Sequence, residues 1–318
     1  MTPDAGTPRG EARTPARTPD QDVRQGAAEA QRVPGAPDFG VRRTLARTAG
    51  GKAVDVYRPG PGAPDRGPTA LLWHGIAPDE RDILGPLAAT VARAGLRVCV
   101  PDWGSDAPDG GRSQLLDSLA FARDFAAGHG GDTERFVLAG WSAGAPAAMG
   151  VVLRPGTADG PRLAGVVGIG SRYDRPARTT GTVPLEDIAA METSPVPVSP
   201  MQASPVPVSS VPESPVAVSP VPVWLVHGTH DTVMGSEHTD AFAAALEARG
   251  WPVHREDTAT DHAGVIMTEH DPARDRCVPA RAGHAIRGGL LTASVLLRAA
   301  GLLGQREAQA FGPGPGAV

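Results

Sequence analysis

The sequence is poor in cysteine, in aromatic side chains, in long apolar runs and in charge of one sign. Two cysteines in 318 residues, Cys99 and Cys277, cannot form a disulfide framework. Cys99 sits in the apolar run Leu96–Val100 and reads as a small buried hydrophobe, and Cys277 lies among charged residues. Neither has the neighbouring base or helix N-terminus that makes a thiolate reactive, so thiol catalysis is not expected. No run approaches the ~20 apolar residues of a membrane span, and the first 35 residues contain no apolar secretion core. The expectation is no membrane span and a cytoplasmic protein. Lys and Arg total 30 against 35 Asp and Glu, a net charge of −5, with no basic stripe to follow a phosphate backbone. A nucleic-acid partner is therefore not expected. Zinc motifs are missing too. His227, His230, Asp231 and His238 crowd one stretch, but without H-E-x-x-H or Cys-pair spacing, so no metal is expected there.

Glycine, at 40, and proline, at 33, are plentiful, and their placement divides the chain. Residues 1–38 mix Thr-Pro pairs with Arg, Ala and Gly and lack the apolar surface to offset ordering, which predicts a disordered tail. The hexapeptide Ser194–Ser199 recurs at Ser204–Ser209 and nearly so at Ser214–Ser219. Proline removes the backbone donors a solenoid ladder needs, so the segment at about 193–222 reads as an extended low-complexity insert. The expected folded domain spans 39–311, with a disordered C-terminus at 312–318.

Within that domain, Val41–Ala46 and Lys52–Arg58 flank an Ala-Gly-Gly turn and predict an antiparallel edge hairpin. Apolar runs at Thr69–His74, Leu96–Val100, Phe136–Ala139, Leu163–Ile169 and Val223–Val226, with Pro252–Glu256, predict further strands. Between them, helical spacing marks Asp79–Ala94, Ser113–Ala127, Ala143–Leu153, Glu237–Arg249 and Ala282–Ala299. Wholly apolar strands alternating with amphipathic helices predict a mostly parallel sheet covered on both faces.

Gly140-Trp141-Ser142-Ala143-Gly144 is a G-x-S-x-G pentapeptide placed after a predicted strand and opening a predicted helix. That context presents the serine hydroxyl above a sheet on a sharp turn, with small residues on either side for close approach. Ser142 is the candidate nucleophile; its plainer role would be a helix N-cap. A serine hydroxyl needs a base. Downstream come His227-Gly228-Thr229-His230-Asp231 after a strand, then Asp261-His262-Ala263-Gly264 after the last predicted strand. His262 is the candidate base and Asp231 the acid that orients it. Asp257 and Asp261 compete for the acid, although Asp261 is adjacent to His262 and side chains of neighbours diverge. His227, His230, His238, His254, His270 and His284 compete for the base. The backbone N–H groups of Ala143 and of Ile76, in the loop His74-Gly75-Ile76, are the candidate oxyanion donors. Trp141, Trp103 and Tyr173 could line a substrate pocket, or equally pack in the core.

Taken together, His74-Gly75, Gly140-x-Ser142-x-Gly144, His227-Gly228-x-x-Asp231 and Asp261-His262 resemble the α/β-hydrolase family, in its esterase and dienelactone-hydrolase-like branch, over roughly residues 41–300. The resemblance implies an α/β-hydrolase fold with a mostly parallel eight-stranded sheet, hydrolysis of a small-molecule ester through an acyl-enzyme, and no cofactor. Two features depart from the pattern. The oxyanion loop is His-Gly-Ile and not a run of glycines, which disfavours bulky alcohol groups. The usual lid region is largely the Pro-Val-Ser segment, which implies no large folded cap. Two other roles remain open to the same residues: a serine peptidase of the oligopeptidase type, and a non-catalytic hydrolase fold used for binding. The sequence leaves the oligomeric state undetermined.

Overall fold

The structure is a computed structural model and describes residues 31–154, 156–157, 163–191 and 220–304. The repeat at 194–219, residues 1–30 and the expected C-terminal boundary at 311–312 lie outside the described residues.

Eight strands form one sheet in the order β1-β2-β4-β3-β5-β6-β7-β8. They are β1 (Val41–Arg47), β2 (Ala53–Pro59), β3 (Gly67–Trp73), β4 (Arg97–Pro101), β5 (Gly131–Trp141), β6 (Leu163–Ile169), β7 (Val223–Gly228) and β8 (Val253–Thr258). β1 and β2 are the expected antiparallel hairpin, with Arg43 opposite Tyr57, and β2 also runs antiparallel to β4. From β4 through β3, β5, β6 and β7 to β8 all pairings are parallel. The helices are α1 (Gly85–Arg93), α2 (Arg112–Gly128), α3 (Gly144–Leu153), α4 (Pro184–Ala190), α5 (Ser236–Glu247) and α6 (Gly283–Ala299).

Strand residues alternate between two cores, one on each face of the sheet. Leu72, Val98, Val137, Ala139 and Val167 join Leu87 and Val91 of α1 and Val295 and Leu296 of α6 on one side. Leu71, Cys99, Phe136, Leu138 and Leu225 join Leu115 and Leu119 of α2, Ala147 of α3 and Phe242 of α5 on the other. Burial on both faces is why the central strands are apolar at every position. Each fully buried Leu or Val contributes about 1.5–3 kcal/mol of transfer free energy, so these two layers are the main force holding the sheet to its helices.

Several boundaries differ from the expectation, each for a local reason. The helix expected from Asp79 begins at Gly85, behind a short 3-10 turn at Arg81–Leu84. Pro86 lacks an N–H and fits only the first turn of a helix, where that donor would be idle. β5 starts five residues earlier than expected, at Gly131, because the polar stretch Asp132–Arg135 continues the extended backbone. The tail boundary at 38 is also too late. Val33 is buried in the core, Gln31 N–H donates to Thr90 Oγ1 on α1, and Asp38 pairs with Arg93.

Two elements were not expected. α4 carries Pro184 in its first turn with Glu186 and Asp187 behind it, a start signal present in the sequence. β9 (Thr268–Asp271) and β10 (Arg276–Pro279) form a small hairpin of mixed polarity with no apolar alternation to announce it. Among the described residues, the connection from β6 to β7 holds α4 alone as regular structure. α4 is tied to the body by the Arg154–Asp187 pair at 2.6 Å and by the Arg249 guanidinium on Ala189 O. No helix among the described residues is long and apolar enough to cross a membrane.

Candidate active site

Ser142 occupies the turn between β5 and α3 with φ +52°, a left-handed conformation that a non-glycine residue adopts only at a cost of about 1–3 kcal/mol. The surroundings hold it there. Ser142 N–H donates to Ile169 O at 2.9 Å, and its carbonyl accepts from Ala145 N–H at 3.0 Å and from Ser171 Oγ at 2.7 Å. The flanking glycines are required by space. A Cβ on Gly144 would stand 2.6 Å from Trp73 O, and one on Gly140 would run into the carbonyl of Gly144. The N-cap of α3 is Ala143, with no side-chain cap, so Ser142 is not placed as a capping residue.

Asp231 lies three residues beyond β7. Its Oδ1 accepts the N–H groups of Val233 at 2.9 Å and Met234 at 2.8 Å. Its Oδ2 lies 2.7 Å from Nδ1 of His262, in the loop after β8. Burial pushes the Asp231 carboxyl up, but the His262 ring and the two amides outweigh it, and the net shift is downward. The rival acids are engaged elsewhere. Asp261 accepts Gly264 N–H at 2.7 Å, and Asp257 pairs with Arg255 at 2.7 Å. Three rival histidines are engaged elsewhere: His254 stacks on Trp224, His284 meets Thr260, and His270 meets Asp275. His227 does approach the acid, with Nε2 3.6 Å from Asp231 Oδ2, but that nitrogen is directed at Met234 O at 2.9 Å. His238 faces Asp174 at 3.8 Å and Glu237 at 3.7 Å. No group of three or more metal-ligating side chains is assembled among the described residues.

Gly170, at the end of β6, sits where these elements converge. A Cβ there would lie 3.5 Å from His262 Nδ1 and 3.6 Å from Asp231 Oδ2. The corresponding point on Gly75 lies 3.4 Å from Ser142 Cβ and 2.9 Å from the Trp141 ring. The Gly75 loop therefore lies against the elbow, and Gly170 lies against the His262–Asp231 pair. Neither the Ile76 nor the Ala143 N–H donates to another residue among those described. For Ala143 this follows from its place at the start of α3, where first-turn donors have no intrahelical acceptor. The Ser142 Oγ to His262 Nε2 hydrogen bond is not made in this structure, as is common before substrate tightens a site.

The aromatic candidates divide. Trp141 is 6% exposed, lies 4.9 Å centroid to centroid from the His262 ring, and donates Nε1–H to His262 O at 2.9 Å. It braces the histidine loop. Trp103 is fully buried and stacks on His74, and Tyr173 is fully buried against Phe242. Both are core residues with no surface to offer a substrate, because loops after β4 and β6 fold their large side chains under the site. A concavity of about 670 Å³ lies beside the β9–β10 hairpin, lined by residues such as Met267, His270 and Arg281, and none of the candidate catalytic residues borders it.

His74 is buried, and burial lowers its pKa to about 4 against the pull of the Gly75 carbonyl. Its Nε2 accepts Trp103 N–H at 3.3 Å, which leaves Nδ1–H to meet Gly75 O at 3.1 Å. Ser105 Oγ donates to Ile76 O at 2.7 Å. Sequence reasoning missed Ser105, Gly170, Ser171 and Thr239 as parts of the site, since each becomes relevant only through contacts distant in sequence.

The fold is now decided by its strand order together with the placement of the elbow after β5. The chain has the α/β-hydrolase fold. Solved structures of like fold include a bacterial heroin esterase, at 16% identity over 88% of this chain and 89% of that one with TM-score 0.55. They also include a putative dienelactone hydrolase from Klebsiella pneumoniae subsp. pneumoniae, at 14% identity over 82% and 99% with TM-score 0.54. A third is esterase 2 of Thermogutta terrifontis in its apo form, at 16% identity over 86% and 97% with TM-score 0.57. No family model matches the chain, and no curated protein does.

Proposed function

We propose that the chain is a serine hydrolase that cleaves a small carboxylic ester through an acyl-enzyme. One observation carries the proposal: a strained serine at φ +52° shares a convergence of loops with a His262–Asp231 pair held at 2.7 Å. Strain of this kind persists where the surroundings over-determine it, and it exposes a nucleophile. Ester hydrolysis is favoured by the like-folded esterases, one of which, esterase 2 of Thermogutta terrifontis, is recorded phosphorylated by paraoxon.

Ser142 Oγ attacks the ester carbonyl carbon while His262 Nε2 takes its proton. Asp231 keeps Nδ1–H directed at itself and stabilises the imidazolium. The carbonyl oxygen becomes an oxyanion held by the N–H groups of Ile76 and Ala143, each of which contributes about 3–4 kcal/mol to the transition state in sites of this type. Collapse breaks the bond to the alcohol oxygen, which leaves with the proton from His262. Water then attacks the acyl carbon with His262 as base, and the acid departs from Ser142. Restriction to small esters rests on the His74-Gly75-Ile76 loop, whose Ile76 side chain stands 48% exposed where a glycine would leave room.

The test is labelling by a fluorophosphonate probe together with turnover of short-chain p-nitrophenyl esters. Labelling and turnover by the wild-type chain, with neither by Ser142→Ala and turnover lost in His262→Ala, are expected, at a cost of about 10⁴–10⁶ in kcat. A wild-type chain that shows neither would sink the proposal. Cleavage of peptides without cleavage of esters would transfer it to the peptidase class.

A further inference from the structure

Behind Asp231 lies a second histidine that the mechanism above does not use. His227 ends β7 and is wholly buried. Its Nε2 lies 2.9 Å from Met234 O and 3.6 Å from Asp231 Oδ2. Because Met234 O can only accept, Nε2 carries a proton and donates it there. The other ring nitrogen, Nδ1, lies 2.8 Å from Thr239 Oγ1 on α5. Thr239 Oγ1 in turn meets Ser171 O at 2.9 Å, and Ser171 Oγ donates to Ser142 O at 2.7 Å. Thr239 and Ser171 are each 1% exposed.

The imidazole thus has two arms. One grips the far end of the turn whose N–H groups hold Asp231 Oδ1. The other runs through two hydroxyl-bearing residues to the carbonyl of the nucleophile. Water cannot replace either arm in so closed a region, so each hydrogen bond fixes a direction as well as adding stability. We infer that His227 is a positioning residue for the reaction proposed above, one that sets Asp231 against His262 through Met234 and braces Ser142 through Thr239 and Ser171. The inference rests on that reaction. It differs from a purely structural role in requiring that the two arms fail differently.

Substitutions separate the arms. The amide nitrogen of glutamine reaches the Nε2 position, and that of asparagine the Nδ1 position. His227→Gln keeps a donor for Met234 O, His227→Asn loses it, and Thr239→Val breaks the second arm at nearly constant volume. Wild type and the three variants are compared by kcat, KM, the pH profile of kcat/KM and Tm. His227→Asn is expected to lower kcat about tenfold or more with KM nearly unchanged, as slight misplacement of catalytic groups does. It also moves the acid limb of the profile to lower pH, since the base loses part of its carboxylate partner. His227→Gln keeps the Met234 arm but leaves Thr239 without its imidazole partner, so it returns the limb while recovering only part of the rate. Thr239→Val lowers kcat and leaves the limb in place. The inference is overturned if His227→Asn keeps the wild-type limb, if His227→Gln fails to return it, or if Thr239→Val keeps the wild-type kcat. A wild-type chain that is neither labelled nor active overturns this inference and the esterase proposal together. An active wild type with any of the three contrary results overturns the inference alone.

Discussion

The same dipeptide, His-Gly, ends two strands of the sheet, and the two copies do different work. His74-Gly75 follows β3 and His227-Gly228 completes β7, and both imidazoles are fully buried. His74 reaches the Gly75 carbonyl beside it and the Trp103 amide just beyond β4. Because the Gly75 carbonyl and the Ile76 N–H belong to one planar trans peptide, holding the carbonyl aims the N–H the opposite way. His227 reaches Met234 and, on α5, Thr239, and through Thr239 Ser171 and Ser142. The imidazole of the proposed oxyanion corner therefore ties one loop to the next strand's end, whereas that of the proposed acid corner opens a branched chain that returns to Ser142. A short local contact orients one peptide group. A branched chain of buried hydrogen bonds can keep the three proposed catalytic residues in register.

The contrast can be broken by substitution. The largest effect is expected at the acid corner, where Asp231→Asn should lower kcat by about 10⁴ by favouring the wrong His262 tautomer. Steady-state ester turnover measures this, and a loss under about tenfold would show that the acid is dispensable. At the oxyanion corner the loss should be smaller. Gly75→Val would bring a Cβ within 2.9 Å of the Trp141 ring and displace the Ile76 loop. The expected cost is that of one oxyanion donor, about 10²–10³ in kcat. Equal losses at the two corners would erase the difference between them.

The smallest effect concerns stability and pH. His74 has its pKa lowered from 6.5 to about 4 by burial, so the folded chain keeps it neutral where the unfolded chain protonates it. The unfolded state binds the extra proton between these values, and the folded state loses stability as pH falls through that window. The slope approaches about 1.4 kcal/mol per pH unit, with no contribution above pH ~7. His74→Gln removes the titration, so urea unfolding between pH 7 and pH 4.5 should show a flatter decline than in wild type. Parallel declines would mean that His74 already titrates normally in the fold.

Much of this site was legible along the chain because its parts are short-range patterns. G-x-S-x-G marks a turn that needs glycine where Gly140 crowds Gly144, and short apolar runs such as Leu163–Ile169, between stretches of helical spacing, read as strands covered on both sides. Val33 was lost among prolines in the reading of the tail, since one apolar residue carries no period. Trp103 and Tyr173 were ambiguous for a related reason. An aromatic after a strand can turn into a pocket or under it, and the choice depends on neighbours from other loops.

The sequence by itself determined the alternation of strands and helices, the strained elbow at Ser142 and the chain order of serine, acid and histidine, because backbone sterics and burial act on neighbouring residues. Only the tertiary structure decided that Asp231, and not Asp257 or Asp261, meets His262, and that His74 ties the loop after β3 to Trp103 while His227 leads through Thr239 and Ser171 to Ser142. Those choices depend on which strand ends lie side by side, and parallel pairing brings together residues that the sequence keeps dozens of positions apart.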